Sequence, residues 1–383
     1  MTARFSDADR VHMARALELA ALGLYTATPN PRVGCVIVRD GAIVGEGWHR
    51  KAGEPHAEAH ALAAAAGMAR GATAYVTLEP CSHFGRTPPC SDALIAAGVT
   101  RVVAAMRDPD PKGAGGGAKL QAAGIAFECG LLEDEASELN IGFVSRVTRA
   151  RPWVRMKVAA SLDGRTALAN GQSQWITGPA ARKDGHHWRA RACAILTGIG
   201  TVAADDPRLD VREVETSRQP LRVIVDSRLE TPPAAHILEG GPVLIFCAYD
   251  DAVRRAGLEA RGAEVVVLAN ARGKVELPAL LQVLSARGVN ELHVEAGVKL
   301  NGSLVREGCV DELLVYLAPS LLGDSAQGMA ALAELGSLGE RVRLAFRSAD
   351  RVGPDLRILA RVEAGVENGA LDTPAPASPG QTQ

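Results

Sequence analysis

Four residues near the N-terminus restrict what this chain can fold into, because together they suit one metal ion and one proton carrier. His56, Cys81 and Cys90 supply an imidazole and two thiols, which are the ligands that zinc prefers. Three protein ligands leave one coordination position open, as in catalytic rather than structural zinc sites. Glu58 lies two residues beyond His56, so it can face the same cavity without reaching the metal. The fold must bring these side chains together.

The order of the residues separates the classes of zinc site. Zinc deaminases use His-x-Glu followed by Pro-Cys-x-x-Cys, and Pro80-Cys81 supplies the start of the second half here. A glutamate in this position can take a proton from an attacking water and pass it to a leaving amine. A metalloprotease motif needs Glu directly after the first His, and the order here is His-Ala-Glu-Ala-His. A purely structural zinc site would leave Glu58 without a role.

The spacer between the two cysteines departs from the usual two residues. It reads SHFGRTPP and carries His83 and Arg86, polar groups that can line a substrate pocket over the metal. Cys90 is expected to begin a helix, where the helix dipole favours its thiolate. The long spacer therefore predicts a part of the substrate pocket.

Composition excludes some function classes. The formal net charge is -2, so no basic surplus indicates a nucleic-acid backbone as partner. The N-terminal stretch predicts an amphipathic helix rather than a signal peptide, and no apolar run is long enough to span a bilayer. Seven cysteines spread through a large chain favour reduced, cytosolic thiols over a disulfide framework.

The length of 383 residues predicts two or three domains. Residues 1–150 alternate strands with helices, which predicts a three-layer α/β domain closed by one helix that runs to about Arg149. The Pro of RARPWVRMKVAASLDG marks a boundary, and residues 151–365 form a second α/β set. Its further strands are expected at CAILTG, LRVIVD, PVLIFC, AEVVVLA, ELHVEA and ELLVYLAP. Residues 366–383 are rich in Pro, Ser and Gln and predict a disordered tail.

The second half contains no G-x-G-x-x-G after a strand, so a Rossmann fold lacks its main support. Lys157 and Glu295 are ionisable groups on otherwise apolar strands, where a charge is costly without a partner or a task. Ordinary turns and salt bridges account for these features equally well. Three arginines can hold a phosphorylated substrate by charge-assisted hydrogen bonds, namely Arg189, Arg208 and Arg212.

The stretches TPNPRVGCVIV, GWHRKAGEPHAE and EPCSHFGRTPPC resemble the deaminase half of the bifunctional riboflavin-biosynthesis deaminase/reductases. The resemblance implies a cytidine-deaminase-like fold, a Zn2+ cofactor, and hydrolytic deamination of 2,5-diamino-6-(5-phosphoribosylamino)pyrimidin-4-one. In that reaction Glu58 would act as the proton carrier. The implied substrate contacts are Asn30, His49, His83 and Arg86.

The stretches VRMKVAASLDGRTA, GQSQWITG, RACAILTGIGTVAADDPRLDVR, RVIVDS and VEAGVKLNGSLV resemble the reductase half of the same family, in the same order. That half resembles dihydrofolate reductase in fold and uses NADPH to reduce the ribosyl side chain, giving 5-amino-6-(5-phosphoribitylamino)uracil. Lys157 and Glu295 would hold the ribose and serve its proton transfers. The implied NADPH contacts are Ala159, Trp175, Thr201, Asp205, Ser227, Gly297, Val298, Lys299, Leu300, Asn301, Gly302 and Ser303. The implied substrate contacts are Ser173, Arg189, Leu209, Arg212 and Glu295.

One residue departs from the pattern of this family. The family usually has Glu-Gly-Gly where this chain has Glu295-Ala296-Gly297. If the first of those glycines needs a positive φ or a close approach to the cofactor, Ala296 costs about 1 kcal/mol or more. Reductase activity is expected to depend on the backbone at this position.

Two further function classes stay open at this point. One is a nucleoside or nucleic-acid deaminase with an inactive second domain, which shares the zinc motif. The other is a structural zinc protein without turnover. The resemblance itself implies a small-molecule phosphoribosyl pyrimidine substrate, no nucleic-acid or membrane partner, a homo-oligomer and a cytoplasmic location.

Overall fold

The computed structural model describes residues 4–84 and 88–363. The predicted substrate contact Arg86 and the predicted tail, residues 366–383, lie outside the described residues. Within these ranges, the helices are too short or too polar to cross a membrane.

The N-terminal part forms a five-stranded sheet in the order β2-β1-β3-β4-β5. The strands are β1 (Gly34–Arg39), β2 (Ala42–Trp48), β3 (Thr73–Leu78), β4 (Arg101–Met106) and β5 (Ala126–Cys129). β1 runs antiparallel to β2 and β3, whereas β3, β4 and β5 are parallel. The helices are α1 (Asp7–Ala21), α2 (Ala57–Ala64), α3 (Cys90–Ala97), α4 (Gly116–Ala122), α5 (Glu133–Leu139) and α6 (Ile141–Arg149). Continuous buried runs in β1, β3 and β4 are typical of strands covered on both faces.

The helix α2, which begins just after the predicted zinc ligand His56, packs closely against β2. A Cβ atom at Gly47 of β2 would lie 2.4 Å from the carbonyl oxygen of Ala57. Only glycine therefore lets the start of α2 approach β2 so closely. The start of this helix is thus fixed against the sheet.

The single helix predicted to run to about Arg149 is two helices, α5 and α6. The helix is interrupted at Asn140, a buried residue between α5 and α6. The Asn140 side chain accepts a hydrogen bond from the backbone N–H of Arg32 at 2.7 Å and donates one to the Arg32 carbonyl at 2.9 Å. The break lets one side chain satisfy the buried backbone of a distant segment, which no local pattern predicts.

The C-terminal part forms a nine-stranded sheet in the order β11-β10-β9-β8-β12-β6-β13-β16-β15. The strands are β6 (Trp153–Ser161), β8 (Ala194–Gly198), β9 (Leu221–Val225), β10 (Val243–Cys247), β11 (Ala263–Val267), β12 (Glu291–Val294), β13 (Glu312–Ala318), β15 (Leu344–Val352) and β16 (Asp355–Val362). A small separate sheet pairs β7 (Arg165–Ala167) with β14 (Gln327–Gly328). The helices are α7 (Pro179–Arg191), α8 (Ile199–Asp205), α9 (Ala252–Glu259), α10 (Leu277–Ala286) and α11 (Val298–Arg306).

Seven neighbouring strands of this sheet are parallel, in the order β11, β10, β9, β8, β12, β6 and β13. Their carboxyl ends therefore share one edge of the sheet. The amino ends of β6, β8 and β12 form the opposite edge. Ligands of open parallel sheets bind outside the carboxyl ends of the strands. The topology therefore selects one edge for the second active site and leaves the other free to contact the N-terminal part.

The strands β15 and β16 complete the sheet and were absent from the sequence-based expectations. β15 reads LAFRSADRV and is largely exposed, so it lacks the apolar run that marked the buried strands. It pairs antiparallel with β16, which in turn pairs with β13. Pairing at a sheet edge, rather than the sequence pattern, makes this segment a strand.

Candidate functional site

The three predicted zinc ligands lie together. His56 is the residue before α2, and Cys90 is the first residue of α3. His56 Nδ1 lies 3.3 Å from Cys90 Sγ and 3.7 Å from Cys81 Sγ, and one ligand atom from each residue lies within 4.8 Å of the others. One imidazole and two thiols in this arrangement fit zinc, with one position left for a reactant.

The surroundings of Cys81 favour the thiolate, which is the form that binds metal. The Cys90 thiol and the Cys90 backbone N–H both lie beside Cys81 Sγ, the latter at 3.3 Å, and His56 adds its charge. These neighbours lower the pKa of Cys81 although burial opposes them. The start of α3 therefore serves both ligands.

Glu58 stands beside the ligands at the start of α2. It is the second residue of α2 and only 3% exposed, and its side chain faces the cavity that the ligands line. Burial raises the pKa of its carboxyl group. Among the residues that the structure describes, Glu58 forms no ion pair. Such a carboxyl group can carry a proton between two reacting atoms.

A cavity of about 630 Å3 opens over the metal ligands. Asn30, His49 and His83, three of the predicted substrate contacts, line it together with Glu58. Asn30 Nδ2 lies 3.0 Å from His49 Nε2, and His49 Nδ1 lies 3.2 Å from the carbonyl oxygen of Pro55. Burial lowers the pKa of His49, which favours the neutral ring. A neutral His49 that donates to Pro55 accepts from Asn30, and this fixes both side chains.

The cavity also contains residues that the sequence did not single out as site residues. Asp108, Lys112 and Arg146 line its wall. Burial raises the pKa of Asp108 to about 6, although Asp108 accepts a hydrogen bond from the backbone N–H of Asp110 at 2.9 Å. Asp108 and Lys112 lie in the DPDPKG loop that follows β4. The position of this loop just after a predicted strand is a sequence signal that could have identified them. Arg146 lies on α6 and has no local signal.

The predicted residues Lys157, Arg189 and Glu295 meet at the carboxyl edge of the second sheet. Glu295 directly follows β12, and its carboxylate accepts from Arg189 Nε at 2.5 Å and Arg189 Nη2 at 2.9 Å. Lys157 Nζ on β6 lies 3.7 Å from the same carboxylate. Burial would raise the pKa of Glu295, but the charges of Arg189 and Lys157 outweigh it and hold that pKa well below its ordinary value. Glu295 is therefore an ionised group.

Two more predicted substrate contacts adjoin Arg189. Arg189 Nη1 donates to the carbonyl oxygen of Asp210 at 3.1 Å, and Arg212 forms an ion pair with the Asp210 side chain. Leu209, buried beside Asp210, has a φ of 48°, in the left-handed region. The loop after α8 thus places Leu209 and Arg212 next to Arg189.

Several of the predicted NADPH contacts lie close together, on the glycine-containing turns that precede α8 and α11. β8 and β12 are neighbours, so the turn before α8 and the turn before α11 are adjacent. A Cβ atom at Gly297 would lie 3.7 Å from Thr201 Oγ1, and one at Gly198 would lie 3.1 Å from Leu300. The first N–H groups of α11 have no partner within the helix, which suits a pyrophosphate. The residues at this edge therefore fit a dinucleotide.

Ala159 and Ser227 belong to the same edge by topology. Ala159 lies two residues beyond Lys157 on β6, so both side chains point to one face of the sheet. Ser227 lies just beyond β9, and its carbonyl oxygen accepts from the N–H groups of Ala248 and Tyr249 at 3.0 Å. Ala159 and Ser227 therefore stay predicted cofactor contacts at this edge.

The remaining predicted site residues do not touch the Glu295 cluster or the two glycine turns among the described residues. Trp175 is 69% exposed, and Arg182 lies over its ring at 4.5 Å. Ser173 lies on the same loop before α7, and Asp205 is exposed at the end of α8. Arg208, selected on its charge alone, lies 3.6 Å from Glu239 in an exposed ion pair.

The later part of the 297–303 stretch packs against its own domain. Asn301 donates to the carbonyl oxygen of Met329 at 3.0 Å, and a Cβ atom at Gly302 would lie 2.2 Å from the carbonyl oxygen of Ala331. Ser303 donates to the Lys299 carbonyl oxygen at 3.2 Å. Val298 and Lys299 begin α11 beside Gly297. The contacts of Asn301 and Gly302 are therefore structural.

Ala296 carries no backbone strain from a positive φ, which was one of the two costs that the sequence left open. Its φ does not fall in the left-handed region, where a glycine would be needed. The side chain is partly buried and packs against the core of the second sheet. An alanine is compatible with this backbone.

Comparisons with known proteins match both halves of the chain. Residues 6–106 match the model of the cytidine and deoxycytidylate deaminase zinc-binding region, and residues 152–358 match that of the RibD C-terminal domain. The riboflavin biosynthesis protein RibD of Escherichia coli is 48% identical over 361 residues, which cover 91% of this chain and 98% of that protein.

Two solved structures match over the same extent. RibD of Acinetobacter baumannii is 44% identical, with a TM-score of 0.86 over 93% of this chain and 99% of that one. A Thermotoga maritima structure described as a diaminohydroxyphosphoribosylaminopyrimidine deaminase/5-amino-6-(5-phosphoribosylamino)uracil reductase is 32% identical, with a TM-score of 0.83 and the same coverage of both chains.

Proposed function

Because this chain belongs to the RibD family of bifunctional riboflavin-biosynthesis enzymes, we propose that residues 1–150 carry its deaminase site and residues 151–365 its reductase site. The chain is a zinc-dependent deaminase and an NADPH-dependent reductase. The predicted cytidine-deaminase-like and dihydrofolate-reductase-like folds are confirmed. Family membership removes both the structural zinc protein and the nucleic-acid deaminase from consideration.

The substrate follows from the same relationship. The diaminopyrimidine substrate that the Thermotoga maritima protein is named for is assigned to the N-terminal cavity of this chain. The product of deamination, a phosphoribosylaminouracil, is assigned to the cluster around Glu295. Arg189 and Arg212, which lie beside that cluster, suit a phosphate on this second substrate.

The observation that carries the deaminase assignment is the grouping of His56, Cys81 and Cys90 beside a cavity that His56, Cys81 and Glu58 line. A zinc ion at these ligands supplies Lewis acidity that lowers the pKa of water. Glu58 takes the proton of the attacking water and delivers it to the amine that leaves the ring. Asn30 and His49 orient the ring by hydrogen bonds, and His83 lines the cavity above it.

The reductase assignment rests on the ion pairs of Glu295. NADPH supplies the hydride, and the turns at Thr201 and Gly297 bind it at the carboxyl edge of the sheet. Glu295 is ionised, so it accepts hydrogen bonds from ribose hydroxyls and does not donate a proton. Lys157, whose Nζ lies 3.7 Å from this carboxylate, is the hydrogen-bond donor of the pair.

Self-association is part of the proposal. β15 is the edge strand of the second sheet, and an edge with unpaired backbone groups invites pairing unless it is covered. Large apolar side chains are exposed on β15 and just before it, namely Leu332, Leu335, Leu338, Val342, Leu344 and Phe346. Two copies that pack through this surface would cover it. Sedimentation of the wild-type chain and of Phe346→Glu tests this, since the substitution should shift the chain towards monomer.

The cytoplasmic location remains a proposal and is supported by the cysteines. None of the seven forms a disulfide bond in the structure, as expected in a reducing compartment. The partners proposed are small molecules and a second copy of the chain, and no nucleic acid or membrane.

A coupled assay on the purified chain tests the function. Ammonia release and the loss of NADPH absorbance are followed together with the diaminopyrimidine phosphoribosyl substrate. Both signals support the two assignments. Ammonia without NADPH loss contradicts the reductase assignment, and a folded, zinc-loaded chain that gives neither signal contradicts the substrate.

A further inference from the structure

One residue of the reductase domain contacts two walls of the deaminase cavity. Asn290 precedes β12 and is 5% exposed. Its Nδ2 donates to the carbonyl oxygen of Pro29 at 3.0 Å, and its Oδ1 accepts from Arg146 Nε at 2.5 Å. Pro29 and Arg146 both line the deaminase cavity. A single amide of the second domain therefore joins two parts of the first.

Asn290 is well placed for this role because its own position does not depend on the cavity. Its carbonyl oxygen accepts from the N–H of Trp153 at 2.8 Å, and its N–H points to Cys193 Sγ at 3.3 Å. Both partners belong to the second domain, at the amino ends of β6 and β8. Replacing the side chain leaves these backbone contacts in place.

The rest of the cavity wall is attached to the second domain in the same way. The wall segment, residues 25–32, connects α1 to β1 and contains Asn30. Arg218 Nε donates to the carbonyl oxygen of Tyr25 at 2.6 Å, and Thr28 Oγ1 lies 2.9 Å from Cys193 Sγ. Arg32 at the end of the segment forms an ion pair with Glu291 at 2.8 Å. These contacts hold the wall segment from outside its own domain.

The contact of Asn290 with Pro29 affects the substrate-orienting side chains through Asn30, the next residue in the chain. Asn30 holds His49 at 3.0 Å, so a shift of Pro29 moves the pair that orients the substrate ring. Arg146 adds a charge to the cavity. Its partners are the Asn290 amide and the Pro29 carbonyl oxygen, both neutral, and it forms no ion pair with any residue in the described ranges. Its positive charge is therefore available to the phosphate of a substrate.

We propose that Asn290 is a positioning residue of the deaminase reaction: the reductase domain, through this side chain, sets the places of Asn30 and Arg146 in the deaminase cavity. The proposal rests on the assignment of a phosphoribosyl substrate to this cavity. It makes the deaminase site incomplete without the second domain. Zinc binding does not depend on Asn290, because the three ligands lie at the start of α2, after β3 and at the start of α3, and none of them contacts Asn290 among the described residues.

The test uses the full chain and measures both reactions in each variant. In Asn290→Ala the KM for ammonia release should rise about tenfold with kcat changed less than about twofold, as expected for loss of two buried hydrogen bonds used in binding. In Asn290→Asp the donor to Pro29 is lost and the new carboxylate pairs with Arg146, which removes the available charge from the cavity, so the KM should rise at least as much as in Asn290→Ala. Zinc content and the constants for NADPH oxidation with the deaminated substrate should not change.

Arg149→Ala is the matched control. Arg149 forms an ion pair with Asp311 at 2.9 Å across the same domain junction but does not line the cavity. Its KM for ammonia release should stay at the wild-type value. An unchanged KM in both Asn290 variants overturns the inference, and so does an equal rise in Arg149→Ala, which would indicate general loosening. A wild-type chain that releases no ammonia instead refutes the proposed function.

Discussion

The two active sites bury their carboxyl groups in opposite electrostatic surroundings. In the deaminase cavity, Glu58 and Asp108 contact no cation among the described residues, and burial raises the pKa of both, that of Asp108 to about 6. In the reductase domain, Glu295 and Glu291 are also largely removed from solvent, but neighbouring cations hold the pKa of each far below its ordinary value, namely Arg189 and Lys157 for Glu295 and three arginines for Glu291. Burial alone therefore does not decide the charge of a carboxyl group; the cations within reach do.

This difference separates two tasks. A buried carboxylate is costly unless it is paired and hydrogen-bonded, so an ionised one marks a built network of charges. Glu291 shows the extent of such a network, with Arg191 at 2.7 Å, Arg32 at 2.8 Å and Arg155 at 3.0 Å. Glu291 and Glu295 act as fixed counter-ions. Glu58, which forms no ion pair with any residue in 4–84 or 88–363, can exchange a proton during the reaction.

The largest effect is expected when the proton carrier of the deaminase site is removed. Glu58→Gln keeps the size and polarity of the side chain but cannot carry a proton, so ammonia release should fall about a thousandfold. Zinc content, measured by atomic absorption, and NADPH oxidation with the deaminated substrate should be unchanged. Retained ammonia release, or loss of the metal, would remove the distinction drawn between the two glutamates.

A smaller but broader effect is expected at the fixed counter-ion. Glu295→Gln leaves the charges of Arg189 and Lys157 without their partner, so the free energy of unfolding should fall by about 3 kcal/mol and reductase kcat/KM by about tenfold or more. Deaminase constants should not change. Denaturant unfolding and NADPH oxidation measure the two effects.

Glu239→Gln is the control for Glu295→Gln. It breaks the exposed pair with Arg208, so the stability change should stay below about 1 kcal/mol. Equal losses in the two variants would show that the reductase carboxylates are not specially paired.

Asp108 makes the comparison dependent on pH. Because its pKa rises from 3.8 in the unfolded chain to about 6, the folded state binds the proton more tightly, and stability falls as pH rises through that window. Asp108→Asn lacks this titration, so its stability relative to wild type should increase by about 2 kcal/mol between pH 4 and pH 7 and then stay level. Thermal unfolding across this pH range checks the sign. A relative stability that decreases with pH would contradict the raised pKa.

The smallest effect is expected beside Glu295 at an uncharged position. Since φ of Ala296 lies outside the left-handed region, Ala296→Gly should change reductase kcat and KM by less than about twofold. A much larger gain in activity would mean that the alanine restricts the cofactor, and that shape as well as charge governs this site.

The sequence was sufficient for the zinc site and for most of the fold. His56, Glu58 and Cys90 lie at the starts of two helices and Cys81 follows a strand, so the sequence pattern predicts the element end on which each side chain lies, and the packing of α2 and α3 on the sheet brings them together. The alternating strands and helices of both halves were predicted because their apolar runs are long and bounded by turns. The order of motifs was enough to identify the reductase half and its cofactor.

Other features depend on residues that are far apart in the chain. The partners of Glu295 come from α7 and β6, and nothing near it in sequence shows that its charge is neutralised. Asn290 lies in an ordinary turn before β12, and only the packing of the two domains places it against Pro29 and Arg146. The helix break at Asn140 and the exposed strand β15 have the same origin. Short-range patterns determine which elements form, whereas charge pairing, buried hydrogen bonds and domain contacts exist only after the chain has brought distant residues together.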